Sequence, residues 1–125
     1  MYANTAYNTY AQNNVEVESP QKLIEMLYEG VLRFNAQTKK AMKDKNIEKK
    51  FYWANRSISI ITELISILDT KQNGNIAMYL MGLYNYQIHL ISDAITHNKV
   101  EKLDEVNNVF KGLLEAWRET TELDK

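Results

Sequence analysis

The sequence predicts an all-α fold: an antiparallel four-helix bundle with a short mobile N-terminal segment. Three observations carry that prediction. One proline and four glycines in 125 residues leave little material for turns, which favours a few long helices. Apolar residues recur at steps of three and four over four stretches. The connections between these stretches are short, and helices of about 20 residues joined in this way pack economically as antiparallel neighbours. The expected arm covers residues 1–18 and the bundle covers 19–125, with helices over about 20–44, 47–69, 76–97 and 100–120.

The first helix should start at Ser19-Pro20. Serine caps free amides, and a proline at the first helical position loses no hydrogen bond because its missing N–H had no intrahelical partner. Leu23, Ile24, Leu27, Val31 and Phe34 supply the apolar stripe, with Lys22, Glu25, Glu29 and Arg33 opposite. Glu29 and Arg33 are spaced for a helical ion pair. Asn46 caps the second helix, whose seam runs Ile47, Phe51, Ala54, Ile58, Ile61, Ile65, Leu68. KQNGN (71–75) is a turn cluster preceding the third helix. The fourth places Leu103, Val106, Phe110, Leu113 and Trp117 on one stripe.

Composition bounds the function. The net charge of −1 offers no global field for nucleic acid or an anionic membrane. There is no cysteine, hence no disulfide or thiolate chemistry. No secretory signal is visible, and the longest run without a polar residue, IAMYLMGLY (76–84), is far short of the ~20 residues that span a bilayer. The expectation is a cytoplasmic protein that is not an integral membrane protein.

Catalysis finds little footing. There is no Gly-rich phosphate loop, GxSxG, HExxH or CxxC, so no enzyme activity and no cofactor are expected. His89, Asp93 and His97 stand at i, i+4 and i+8, a spacing that a divalent metal can use, but on the polar side of the third helix. The paired Glu-x-x-His of di-iron bundles is absent. KKAMKDKNIEKK (39–50) holds six lysines, but it has no arginine and is interrupted by acids. A solvated hairpin with dipole-matched lysines explains it better than nucleic-acid contact does.

The informative excess is apolar. The first and last helices carry ordinary stripes. The second adds Trp53, Ile60, Leu64 and Ile67 to its seam, which widens its apolar arc to about 200°, against the ~100° that a core-facing helix needs. The third is similar. Tyr79, Leu83, Tyr86 and Leu90 form one face, and Met81, Tyr84, Ile88 and Ile95 lie well round from it. Such a surplus fits a groove for an amphipathic segment of a partner, a homodimer contact, or a central pair of helices. Gly30, Gly82 and Gly112 fall inside helices, where close backbone approach would offset their cost. The arm is uncharged through residue 15, yet it carries Tyr2, Tyr7, Tyr10 and Val15, which are unusual in a purely solvating tail.

These features resemble the flagellin-specific secretion chaperones of the FliS family over nearly the whole chain. AYNTY (6–10) and NNVEVESPQKLIEMLYEGVLRF (13–34) look like the family's tyrosine arm and its Ser-Pro-x-x-Leu-Ile-x-Met-Leu-Tyr-acid-Gly signature. Ile61, Glu63-Leu64 and Leu68-Asp69 match its second helix, LYNYQ (83–87) the third and LLEAW (113–117) the last. One departure is NGN (73–75), where the family often has paired glycines.

The resemblance implies a chaperone of flagellar type III secretion that binds the disordered C-terminal segment of flagellin. Binding would block premature polymerisation, and the complex would be delivered to the export-gate component FlhA. The groove residues expected for flagellin are Trp53, Ile60, Leu64, Ile67, Met81, Tyr84 and Ile88, and the arm residues expected at the gate are Tyr7, Tyr10 and Val15. The competing expectations are a homodimeric helical scaffold, or a metal-binding bundle using His89, Asp93 and His97.

Overall fold

The computed structural model describes residues 19–121. They form four helices, which we number α1 (Pro20–Lys43), α2 (Ile47–Ser66), α3 (Gly74–His97) and α4 (Val100–Thr121). Each packs against its neighbour in the chain, and α1 also packs against α4, which closes the ring.

Local chemistry sets the helix ends. Ser19 Oγ accepts the Lys22 amide at 3.1 Å, with Pro20 at the first helical position. Asn46 Oδ1 accepts the Lys49 amide at 3.0 Å. At the end of α1, Lys45 turns left-handed at φ 56°, its N–H bonds to Met42 O, and Asn46 N–H bonds to Ala41 O. This double closure satisfies carbonyls that the helix leaves free. Asn98 ends α3 in the same way at φ 54°. The second helix stops at Ser66 rather than 69, where the Ser66 hydroxyl bonds back to Glu63 O at 2.7 Å.

The core is built from Leu27, Val31, Ile61, Ile91, Leu103, Val106 and Phe110, all essentially fully buried. Burying each such side chain is worth about 1.5–3 kcal/mol. Tyr28 and Tyr84 meet hydroxyl to hydroxyl at 2.7 Å across the interior, and both rings pack on Phe110. Burial pushes both phenols above their usual range.

Several sequence expectations are corrected here. Ile47 and Phe51 belong to the periodic seam of α2, yet they are exposed, because they border an open pocket at the end of the bundle. Glu25 is buried rather than solvated; Lys22 reaches it at 2.7 Å and Arg118 of α4 at 3.5 Å. Glu29 also pairs with Arg118, at 3.4 Å, while Arg33 lies over the Phe34 ring. Gly82 and Gly112 mark no close approach, since a Cβ at either would meet nothing within 4 Å.

Candidate functional site

All seven large hydrophobic side chains exposed among the described residues lie on α2 and α3. They are Ile47, Phe51 and Tyr52 on α2, and Ile76, Met78, Tyr79 and Tyr86 on α3. The helices with a surplus apolar arc in the sequence are therefore the ones that leave apolar surface in water.

The expected groove residues do not form one patch. Trp53, Ile60 and Ile67 recur at steps of seven and are half-buried. Trp53 stacks on Phe34 of α1 at 5.5 Å, so this stripe flanks α1. Met81 and Ile88 are half-buried and continue to Ile95, which shares the terminal pocket with Phe51 of α2. That stripe flanks α2. Leu64 and Tyr84 are taken out of the surface altogether: they are 1% and 2% exposed and belong to the core. Tyr84 is held there by the hydroxyl of Tyr28.

On α3 each of the two apolar faces divides between core and surface. Tyr84, Gln87, Ile91 and Ala94 face the core, whereas Tyr79 and Tyr86 are 69% and 59% exposed. Ile76, Tyr79, Leu83 and Tyr86 step by three, four and three, a stripe about 15 Å long. Tyr86 lies two turns before Asp93, which pairs with Lys102 of α4, so this stripe is on the α4 side. The spacing of these four was visible in the sequence; their exposure was not.

The seams also differ in their polar ties. Between α1 and α4, Asn35 donates to Asn107 at 3.0 Å, Lys39 meets Asp104 at 2.8 Å, and the Trp117 indole donates to Gln21 O at 2.8 Å. Between α2 and α3 the side-chain tie among the described residues is at one end of the pair, where the Lys50 ammonium donates to Asn98 Oδ1 at the C-cap of α3, 2.9 Å away.

The histidine stripe has other commitments. The Asp93 carboxylate takes Lys102 and the His97 ring (Nδ1 at 2.6 Å), and these partners hold its pKa below the usual range. His89 is exposed and takes no part in this cluster. No group of three or more His, Cys, Asp or Glu among the described residues is placed to hold a metal. No helix among them is long and apolar enough to cross a membrane. Tyr7, Tyr10 and Val15 lie outside the described residues.

Comparison with known proteins places this geometry in a family. The chain is 52% identical over 119 residues to the flagellar secretion chaperone FliS of Campylobacter jejuni, covering 95% of this chain and 93% of that protein. It is 33% identical over 121 residues to the flagellar secretion chaperone FliSB of Pseudomonas aeruginosa, covering 94% and 96%. It is 30% identical over 125 residues to FliS of Escherichia coli K12, covering 96% and 92%. The family model described as "Flagellar protein FliS" matches residues 2–124, and the chain therefore belongs to the FliS family.

Proposed function

We propose that this protein is a cytoplasmic flagellar secretion chaperone that binds the C-terminal segment of flagellin, keeps it from polymerising and hands it to the export gate. The observation that carries the reading is the confinement of exposed large hydrophobics to α2 and α3 in a member of the FliS family. A polymerising segment has an amphipathic face that pairs with its own kind. A chaperone competes by burying that face, at about 25 cal/mol per Å² of apolar area, less the entropy of ordering the segment.

The docking surface combines the α1-side flank of α2 (Trp53, Ile60, Ile67), the α2-side flank of α3 (Met81, Ile88) and the outer stripe of α3 (Tyr79, Leu83, Tyr86). An extended segment that wraps the bundle can touch all three. The arm residues Tyr7, Tyr10 and Val15 contact FlhA and cover part of the surface when flagellin is absent. The work is binding and handover, with no chemical step.

Calorimetry and mass measurement with a flagellin C-terminal peptide test this reading. The expected outcome is a one-to-one complex, abolished by Tyr79→Asp combined with Tyr86→Asp at unchanged helicity. A stable homodimer that ignores the peptide would overturn it. Deleting residues 1–15 should leave the bundle folded and speed peptide association.

A further inference from the structure

We infer that the lysine-rimmed pocket at the α1–α2 turn is a second docking site, which takes an acidic peptide segment with an apolar anchor residue. The pocket, about 1040 Å³, opens where α1 ends and α2 begins, beside the last turn of α3. Met42, Ile47, Phe51, Ile95 and Val100 line its floor, and Ile47 and Phe51 remain exposed. Lys39, Lys40, Lys43, Lys45 and Lys50 stand around it, and no Asp or Glu lines it. Lys39 is already paired with Asp104, which leaves four rim lysines in a chain whose net charge is −1, so the excess is local.

Helix dipoles account for only part of that charge. Lys40 and Lys43 sit in the last turn of α1, where cations are favoured. Lys50 sits in the first turn of α2, at the end where cations are disfavoured. It is 7% exposed, its ammonium donates to Asn98 Oδ1 at 2.9 Å, and it lies 5.1 Å from the centre of the Phe51 ring. Both partners are neutral, and among the described residues no carboxylate pairs with it. A buried ammonium without a counter-charge is costly, and an arriving carboxylate offsets that cost. The left-handed closures at Lys45 and Asn98 fix the rim in advance, which lowers the entropy lost on binding.

The arrangement selects the occupant. Phosphate recognition favours arginine forks and an extended basic track, whereas these cations circle a concave floor with no arginine in its lining. An apolar side chain fills the floor while flanking carboxylates meet the lysines.

The test uses the isotope-labelled full chain and the acetylated peptide Glu-Asp-Glu-Leu-Phe-Glu-Asp-Glu, with its all-amide counterpart Gln-Asn-Gln-Leu-Phe-Gln-Asn-Gln as control. The acidic peptide should shift the amide resonances of Lys45, Asn46, Lys50 and Asn98. Its affinity should fall about tenfold when salt is raised enough to screen surface charge. Lys43→Glu combined with Lys45→Asn, the latter a residue at ease in a left-handed turn, should abolish that binding. The same variant should bind the flagellin peptide unchanged, so failure here is distinguishable from failure of the chaperone reading. Equal binding of the amide peptide, or full binding by the variant, would overturn the proposal. So would shifts centred elsewhere, or displacement of the peptide by phosphatidylglycerol vesicles or single-stranded DNA.

Discussion

The α1–α4 seam and the surfaces of α2 and α3 solve the same burial problem in opposite ways. Along α1 and α4 the apolar stripe goes inward and the edge is closed by polar ties, with Asn35 on Asn107, Lys39 on Asp104 and Arg118 on Glu25 and Glu29. Along α2 and α3 the apolar arc is wider than the core can use. The excess stays in water as Tyr79, Tyr86 and their neighbours. A helix pair built only for stability would trade these side chains for polar ones, because a large exposed apolar patch invites association. The difference separates the half of the ring whose edge is closed by polar ties from the half that keeps large apolar side chains in water.

The largest expected effects break the comparison along that line. Leu64→Ala, in the core, should cost about 2–5 kcal/mol of stability, read by denaturant unfolding. Tyr79→Ala, at 69% exposure, should stay within about 0.5 kcal/mol of the parent. On flagellin peptide the order should invert, with Tyr79→Ala losing affinity and Leu64→Ala losing it only in proportion to unfolding. Equal effects of the two variants on both measurements would erase the distinction between the buried and the exposed faces of α2 and α3.

A second, smaller effect probes how α3 is anchored to the core. Tyr28 on α1 and Tyr84 on α3 share one buried hydrogen bond. Removing one hydroxyl strands the other, so Tyr28→Phe should cost about 1–3 kcal/mol. Tyr28→Phe with Tyr84→Phe should be less destabilising than the sum of the singles, because no polar group is then left unpaired. Additive losses would show that the pair is not coupled. Burial raises both phenols, so their contribution is fully present below the ordinary tyrosine range. It is lost as pH rises through the raised values. Alkaline unfolding should therefore be steeper in the parent than in the double variant.

The bundle was legible in the sequence because its signals are local. Ser19-Pro20, the Asn46 cap and the stripes of α1 and α4 need no partner to be recognised. The surplus on α2 and α3 was legible as an amount, since an arc is a property of one helix. Which side of that arc faces water was not. Tyr84 and Tyr86 are two residues apart in a helix apolar almost all round, and Tyr84 finds its partners far along the chain, the Phe110 ring of α4 and the Tyr28 hydroxyl of α1, 56 residues away. Leu64 likewise joins the core because of where α1 and α3 stand. Glu25 reads as a surface acid until Arg118 arrives from α4. Ile47 and Phe51 follow the seam period but border a pocket rather than the core.

The smallest predicted effect comes from Glu63, four residues before Ile67 and three after Ile60, on the same flank of α2. One of its carboxylate oxygens is buried without a partner among the described residues. Burial raises its pKa, because the charged form loses water. The native state therefore holds the proton more tightly than the unfolded chain. That contribution is fully present below the ordinary carboxylate range and is lost as pH rises through the raised value. At neutral pH the bundle carries a desolvated charge, and Glu63→Gln should raise Tm by about one to three degrees at pH 7 with no gain near pH 4. A segment docked over Ile60 and Ile67 desolvates this carboxylate further, so flagellin peptide should bind the parent more tightly as pH falls from 7 towards 5. The Gln variant should lack that slope. Parallel slopes in the two proteins would separate Glu63, and with it the flank of Trp53, Ile60 and Ile67, from the docking surface.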